Sequence, residues 1–122
     1  MDSTLYVIDH CTTCKKGVEF LKVHNIGYKK VSLKEKAPTL LELSSMLEFV
    51  KGDVKKLFNT SGLLYKEMNL KDKLMSMSQD EKLILLSREG MLVKRPFLLT
   101  KKGGLVGFKE KEWSSLLQSL LK

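Results

Sequence analysis

The chain has 122 residues, 43% hydrophobic and 30% charged, enough for one domain whose core needs no staple. No apolar run approaches the roughly 20 residues of a membrane span. The opening MDSTLYVIDH has no basic leader, apolar core or cleavage site. A cytoplasmic location is therefore expected, where a cysteine pair is more often chemical than structural. The net charge of +8 would suit an acidic partner such as nucleic acid. The lysines, however, are scattered as short pairs among acids, and the only arginines are Arg88 and Arg95. Arginine is the residue suited to bidentate recognition of bases and phosphates. The charge is thus expected to form a solvated lysine surface, without sequence-specific DNA binding and with acidic protein patches still open as partners.

Residues 5–9 are apolar and partly β-branched, and read as a short buried strand. A turn holding Cys11 follows, then a helical pattern from Cys14 to about His24, with Val18, Leu21 and Phe20 on or beside one face. Gly27 is placed for a left-handed C-terminal position. Residues 28–33 alternate as a second strand. Strand, helix and strand within about 30 residues make a βαβ unit with parallel strands and a right-handed crossover. Thr39 and Glu42 have capping-box spacing, and Leu40, Leu43, Met46, Leu47 and Val50 form a stripe closed by Gly52. Short helical pieces are expected at 54–58, 63–68 and 71–75. Ser78 and Glu81 open another capped helix carrying Leu83, Ile84 and Leu86, with Gly90 just past its end.

Beyond Gly90 the period changes. Residues 91–100 are strand-like, but Pro96 has no N–H for a ladder and should sit at the start of a strand. TKKGG is a turn and 105–108 a second strand, giving a hairpin. Residues 109–121 form an amphipathic helix with Trp113, Leu116, Leu117, Leu120 and Leu121 on its apolar face. The order β-α-β, helical block, β-β-α is the layout of an α/β thioredoxin-like domain. It implies a four-stranded mixed sheet ordered 2-1-3-4 and a helical insertion at about 38–90, all in one domain.

The two cysteines, Cys11 and Cys14, lie in VIDHCTTCKKG. Their spacing fits half a zinc site or a dithiol. Structural zinc takes four ligands, and only His10 and His24 could add to the pair. His24 lies ten residues beyond Cys14, which at about 1.5 Å per residue is some 15 Å along one helix. No closed tetrahedral site follows, and His24 reads as an end-of-helix residue. A redox role has a physical basis. Cys11 sits at or just before a helix N-terminus, where free N–H groups and the dipole favour a thiolate. Cys14, one turn in, is less exposed and can resolve a mixed disulfide. Lys15 and Lys16 could add positive potential. In this layout Pro96 opens the strand beside the cysteine loop. A cis Arg95–Pro96 bond is expected there, letting the chain pass close to Cys11. Arg95 is placed either to stabilise a thiolate or bound oxyanion, or to make a surface ion pair.

The stretches CTTCKKGVEFLKVHNIGY, LFNTSGLLYKEMNL, LVKRPFLL and GLVGFKEKEWSSLL resemble the arsenate reductase (ArsC)/Spx family of thioredoxin-fold proteins, in family order over nearly the whole chain. The resemblance implies a thiol–disulfide redox protein, linked to glutathione, glutaredoxin or a thioredoxin-type reductant, with Cys11 as nucleophile and Cys14 as resolving thiol. Arg95 would shape the catalytic site, and Thr12, Thr13, Asn59 and Pro96 would line it for substrate. No cofactor or metal is implied, glutathione being at most a co-substrate, and a monomer is the default. A second branch of the family implies a redox-sensing regulator that binds the C-terminal domain of the RNA polymerase α subunit through a surface including Gly52. Arsenate reduction is a third possibility. It calls for further arginines in the regions matching NTSG and GLVGF, where this chain has none.

Overall fold

The computed structural model describes residues 3–121. Strand β1 (Thr4–Val7) leads through the cysteine turn into helix α1 (Thr12–Val23), which returns to strand β2 (Lys29–Ser32). Next come α2 (Leu40–Phe49), α3 (Leu63–Glu67), α4 (Leu70–Lys73) and α5 (Gln79–Arg88), joined by 3-10 turns at Val54–Leu57, Leu74–Ser76 and Gly90–Leu92. The chain then re-enters the sheet with β3 (Phe97–Leu99) and β4 (Gly104–Val106) and finishes in α6 (Glu110–Leu120). The sheet order is β2-β1-β3-β4, with β1 parallel to β2 and the other pairings antiparallel. Fold class and strand order are those expected from the sequence.

The sheet alternates between two cores, because successive residues of a strand face opposite sides. Leu5 and Val7 of β1 and Leu98 of β3 pack with Phe20, Leu21 and Trp113 from α1 and α6. Tyr6 and Phe97, register partners, turn the other way and meet edge to face at 5.6 Å. They pack with Leu43 and Met46 of α2 and Leu83 and Leu86 of α5. The Tyr6 hydroxyl donates to Glu42 Oε1 at 2.6 Å, and the same oxygen accepts the Thr39 backbone N–H at 2.9 Å. Glu42 thus completes the α2 capping box and satisfies a buried phenol on the central strand. The second capping box, Ser78 with Glu81, also forms.

Several local expectations are corrected. Helix α1 starts at Thr12, two residues before the expected start at Cys14, with Cys11 as its extended N-cap, at the helix N-terminus as expected. The helix ends at Val23, so the left-handed position falls on Asn25 (φ 55°) and not on Gly27. Asn25 N–H donates to the Lys22 carbonyl and Ile26 N–H to the Leu21 carbonyl, a Schellman closure that asparagine tolerates. The strand expected over 91–100 is confined to Phe97–Leu99, because Gly90–Leu92 coils into a 3-10 turn and Val93 bridges to Phe58 instead of the sheet. Ile84 is exposed, since the inward stripe of α5 is Leu83 and Leu86. Leu40 and Leu121, at the ends of their helices, are exposed as well.

Candidate functional site

The cysteine turn is built by the end of β1. His10 takes a left-handed φ of 63°, which reverses the chain after the strand, and Cys11 is extended at φ −97° and ψ 118°. The Cys11 carbonyl accepts the Lys15 N–H at 3.0 Å, so the helix begins directly after it. Cys11 is half-buried and Cys14 is buried, 3% exposed, and both are free thiols.

The two thiols differ in acidity for identifiable reasons. At Cys11, burial opposes ionisation, but it is outweighed. Hydrogen bonds from the Thr13 hydroxyl (Sγ···Oγ1 3.2 Å), from the Cys14 thiol and from the Cys14 backbone N–H, with the charge of Arg95, hold the thiol below its ordinary value. At Cys14, burial and then the hydrogen bond to Cys11 push the thiol up to about 12, although the Ile8 backbone N–H and Arg95 act the other way. Cys11, the half-buried thiol, is thus the more acidic of the two, and the buried Cys14 the less acidic.

Arg95 reaches this site from the loop before β3. The Arg95–Pro96 peptide bond is cis, and β3 starts at the next residue. The loop is strapped by two backbone bonds, Asn59 N–H to the Leu92 carbonyl at 2.7 Å and Lys94 N–H to the Leu57 carbonyl at 2.8 Å. With the Asn59 amide oriented to satisfy both groups, its oxygen accepts from the two terminal guanidinium nitrogens of Arg95 at 3.1 and 3.2 Å. One of these nitrogens also donates to the Met91 carbonyl at 3.2 Å. Arg95 is therefore held by neutral oxygens, and its charge is left to act on the cysteine turn.

Of the site residues named from the sequence, Cys11, Thr13 and Cys14 stand at the N-terminal end of α1, Arg95 brings its charge to both cysteines and is held by Asn59, and Pro96 lies beside Gly17 further along the helix. Thr12 is exposed on the first turn and lies outside the groove that Thr13 and Arg95 line. Gly52 lies past the end of α2 at φ 80° with nothing within 4 Å of its Cβ position, between Lys51 and Asp53, which line the same groove as Thr13 and Arg95. His24 caps its helix, as expected: its Nδ1 lies 2.9 Å from the Phe20 carbonyl and its ring 4.3 Å from that of Phe20. Among the described residues no group of three or more His, Cys, Asp and Glu could hold a metal, and no helix is long and apolar enough to cross a membrane.

Two glycines position the site and were not singled out from the sequence. A Cβ on Gly17 of α1 would lie 2.8 Å from the Trp113 ring and 3.3 Å from Pro96. A Cβ on Gly62 would lie 2.5 Å from the Asn59 amide. Their signal was a glycine inside an otherwise good helix, and a glycine three residues after an asparagine in a turn, both marks of close approach.

A parallel pair β2-β1, an antiparallel hairpin β3-β4 preceded by a cis-proline, and two cysteines at the first helix N-terminus together define a thioredoxin-like fold. More narrowly, the chain belongs to the ArsC family, whose model matches residues 6–116. It is 42% identical over 113 residues to the uncharacterised protein YusI of Bacillus subtilis, covering 93% of this chain and 96% of that one. It is 30% identical to the regulatory protein MgsR of the same organism, covering 86% and 82%. Global transcriptional regulators named Spx also match. The crystal structure of an ArsC family related protein from Bacteroides fragilis superposes with a TM-score of 0.88 at 40% identity, covering 95% and 98%.

Proposed function

We propose that the protein is a thiol–disulfide reductase of the ArsC/Spx family. The observation that carries this reading is the unequal setting of its two cysteines: Cys11 is half-buried at the helix N-cap with the Thr13 hydroxyl 3.2 Å from its sulfur, and Cys14 is buried behind it, 3% exposed. The Cys11 thiolate attacks one sulfur of a substrate disulfide or glutathione mixed disulfide. A Cys11–substrate disulfide forms, and the other sulfur leaves as a thiolate that takes a proton from solvent. Cys14 then loses its proton and attacks Cys11 Sγ, which releases the substrate thiol and leaves a Cys11–Cys14 disulfide. Two electrons have passed to the substrate. They are restored by a thiol reductant: glutathione, glutaredoxin or a thioredoxin-type dithiol. Thr13 and Arg95 stabilise the attacking thiolate, and Pro96 shapes the wall beside it.

Alkylation at graded pH tests this. Cys11 is expected to label first below neutral pH, with Cys14 unlabelled until the chain is unfolded. Slow and equal labelling of both would sink the reading. A redox-sensing regulator is the second reading, favoured by the likeness to MgsR and by the open surroundings of Gly52. Its test is binding to the RNA polymerase α C-terminal domain, lost on Gly52→Arg. No binding in either redox state would remove it. Arsenate turnover with glutathione is expected to be slight, because Asn59 and the segment 105–108 supply no second arginine for the oxyanion.

A further inference from the structure

The outer edge of the sheet has features that the dithiol reaction leaves unused. β4 pairs with β3 only, in the register Phe97↔Val106, Leu98↔Leu105 and Leu99↔Gly104. Gly107 N–H bonds to the Pro96 carbonyl at 2.8 Å, and Thr100 N–H to the Gly103 carbonyl at 2.9 Å. Hydrogen-bonded and non-bonded pairs alternate along an antiparallel ladder. The N–H and C=O groups of Gly104 and Val106 therefore point away from β3, off the sheet. A groove of about 940 Å³ follows this edge. The end of α2 (Phe49, Val50) forms one wall and α6 (Ser115, Leu116) the other. The groove also takes in Thr13 and Arg95, so it is continuous with the Cys11 site. Among the described residues, five lysines and Arg95 line it against two acids, Asp53 and Glu112.

We propose that this groove docks an extended, acidic polypeptide segment, which adds to β4 as a fifth strand and presents its own sulfur to Cys11. The proposal deepens the reductase reading and rests on it for the chemistry, naming the substrate class as an acidic protein segment. An unpaired strand edge recognises another polypeptide backbone, and a nucleic acid has no matching ladder of amides. The cationic lining selects acidic side chains. A second copy of this chain is disfavoured, because each carries a net charge of +8 and would bring like-charged grooves together.

The test uses short synthetic peptides with glutamate at alternate positions and one cysteine blocked as a mixed disulfide with thionitrobenzoate. Release of the chromophore reports exchange with the reduced full chain. A twin peptide with lysine for glutamate is the comparison, and hydroxyethyl disulfide reports Cys11 without the groove. The acidic peptide should exchange about tenfold faster than its twin at low salt, with the ratio falling toward one at about 1 M salt. Lys55→Glu with Lys56→Glu leaves four cations against four acids in the lining and should bring the ratio close to one; an undiminished ratio would overturn the groove. Methylating the peptide's backbone nitrogens at one alternate set of positions should abolish the preference, while methylating the other set should spare it, since only one set faces β4. Equal rates for the two peptides, while hydroxyethyl disulfide reacts normally, would overturn the groove and leave the reductase standing. If hydroxyethyl disulfide fails to react, the reductase reading falls. The groove is then judged by fluorescence anisotropy of a labelled, cysteine-free acidic peptide: salt-sensitive binding supports it and no binding overturns it.

Discussion

Replacing Gly17 with alanine sets two effects of known size against each other. Glycine in a helix interior costs about 1 kcal/mol relative to alanine, so the substitution should stabilise an ordinary helix. Here the new Cβ would stand 2.8 Å from Trp113 Cη2, 3.4 Å from Cζ2 and 3.3 Å from Pro96 Cγ. Carbons in contact prefer about 3.5–4.0 Å, so the indole must retreat by roughly 0.7 Å. It has little room. Trp113 is 1% exposed, its Nε1 donates to the Gly107 carbonyl at 3.1 Å, and its ring lies 5.7 Å from Phe20 and 5.0 Å from Phe108. Overpacking of this kind costs about 1–3 kcal/mol. The net expectation is a loss of about 1 kcal/mol, or about 4 °C in Tm for a chain of this length. Thermal and urea unfolding of the reduced protein measure it. Gly27→Ala is the control, because nothing lies within 4 Å of its Cβ position, and it should be neutral or stabilising by up to about 1 kcal/mol. A Gly17→Ala protein that melts higher than the parent would refute the packing argument.

Three further outcomes are expected. Thr13→Val removes the hydroxyl at Cys11 and should raise that thiol's pKa, slowing alkylation near neutral pH. Arg95→Met should act in the same direction but less, since the charge is the weaker influence; the reverse order would refute the assignment. Asn59→Ala removes the oxygen that holds the guanidinium; roughly 1 kcal/mol of lost positioning is about a fivefold fall in exchange rate, read with hydroxyethyl disulfide, and an unchanged rate would show that Arg95 needs no such support. The Glu81 carboxyl is held below its ordinary value of 4.5 first by the Ser78 backbone N–H and then by the Ser78 side chain. Its stabilising contribution is present above that value and fades as pH falls through the lower folded value. Acid titration of Glu81→Gln should show a shallower loss of stability over that range than the parent.

The fold was legible because local signals agreed with one another. Two capping boxes, the apolar run of β1 and the proline at the head of β3 each named an element, and their order named the sheet. The unequal cysteines were legible for the same reason, since a strand leading into a helix fixes which thiol meets the N-terminus. Other features depend on contacts distant in sequence. The guanidinium of Arg95 meets Asn59 only because the Phe58–Val93 bridge brings two loops together. The reversal at Asn25 was missed because helix length, set by packing, decided which residue ended α1. The basic groove was invisible as a scatter of lysine pairs, because its cations come from three separate stretches: Lys51, Lys55 and Lys56 after α2, Lys94 and Arg95 before β3, and Lys109 just before α6.

The shared carboxylate of Glu42 has a consequence for anyone shortening this chain. Excising residues 38–90 would keep all four strands, α1 and α6, and would look like a minimal domain on paper. It would also remove α2 and α5, the helices that cover Tyr6 (2% exposed) and Phe97 (0% exposed), together with the Glu42 oxygen 2.6 Å from the Tyr6 hydroxyl. The uncovered hydroxyl would find water in place of Glu42, but the two rings would lose their burial, about 1.5–3 kcal/mol for Phe97 alone and a large share of what a small domain has in hand. A trimmed version would need a new apolar cover for both rings, with an acceptor for Tyr6, before it could hold its cysteine turn in place.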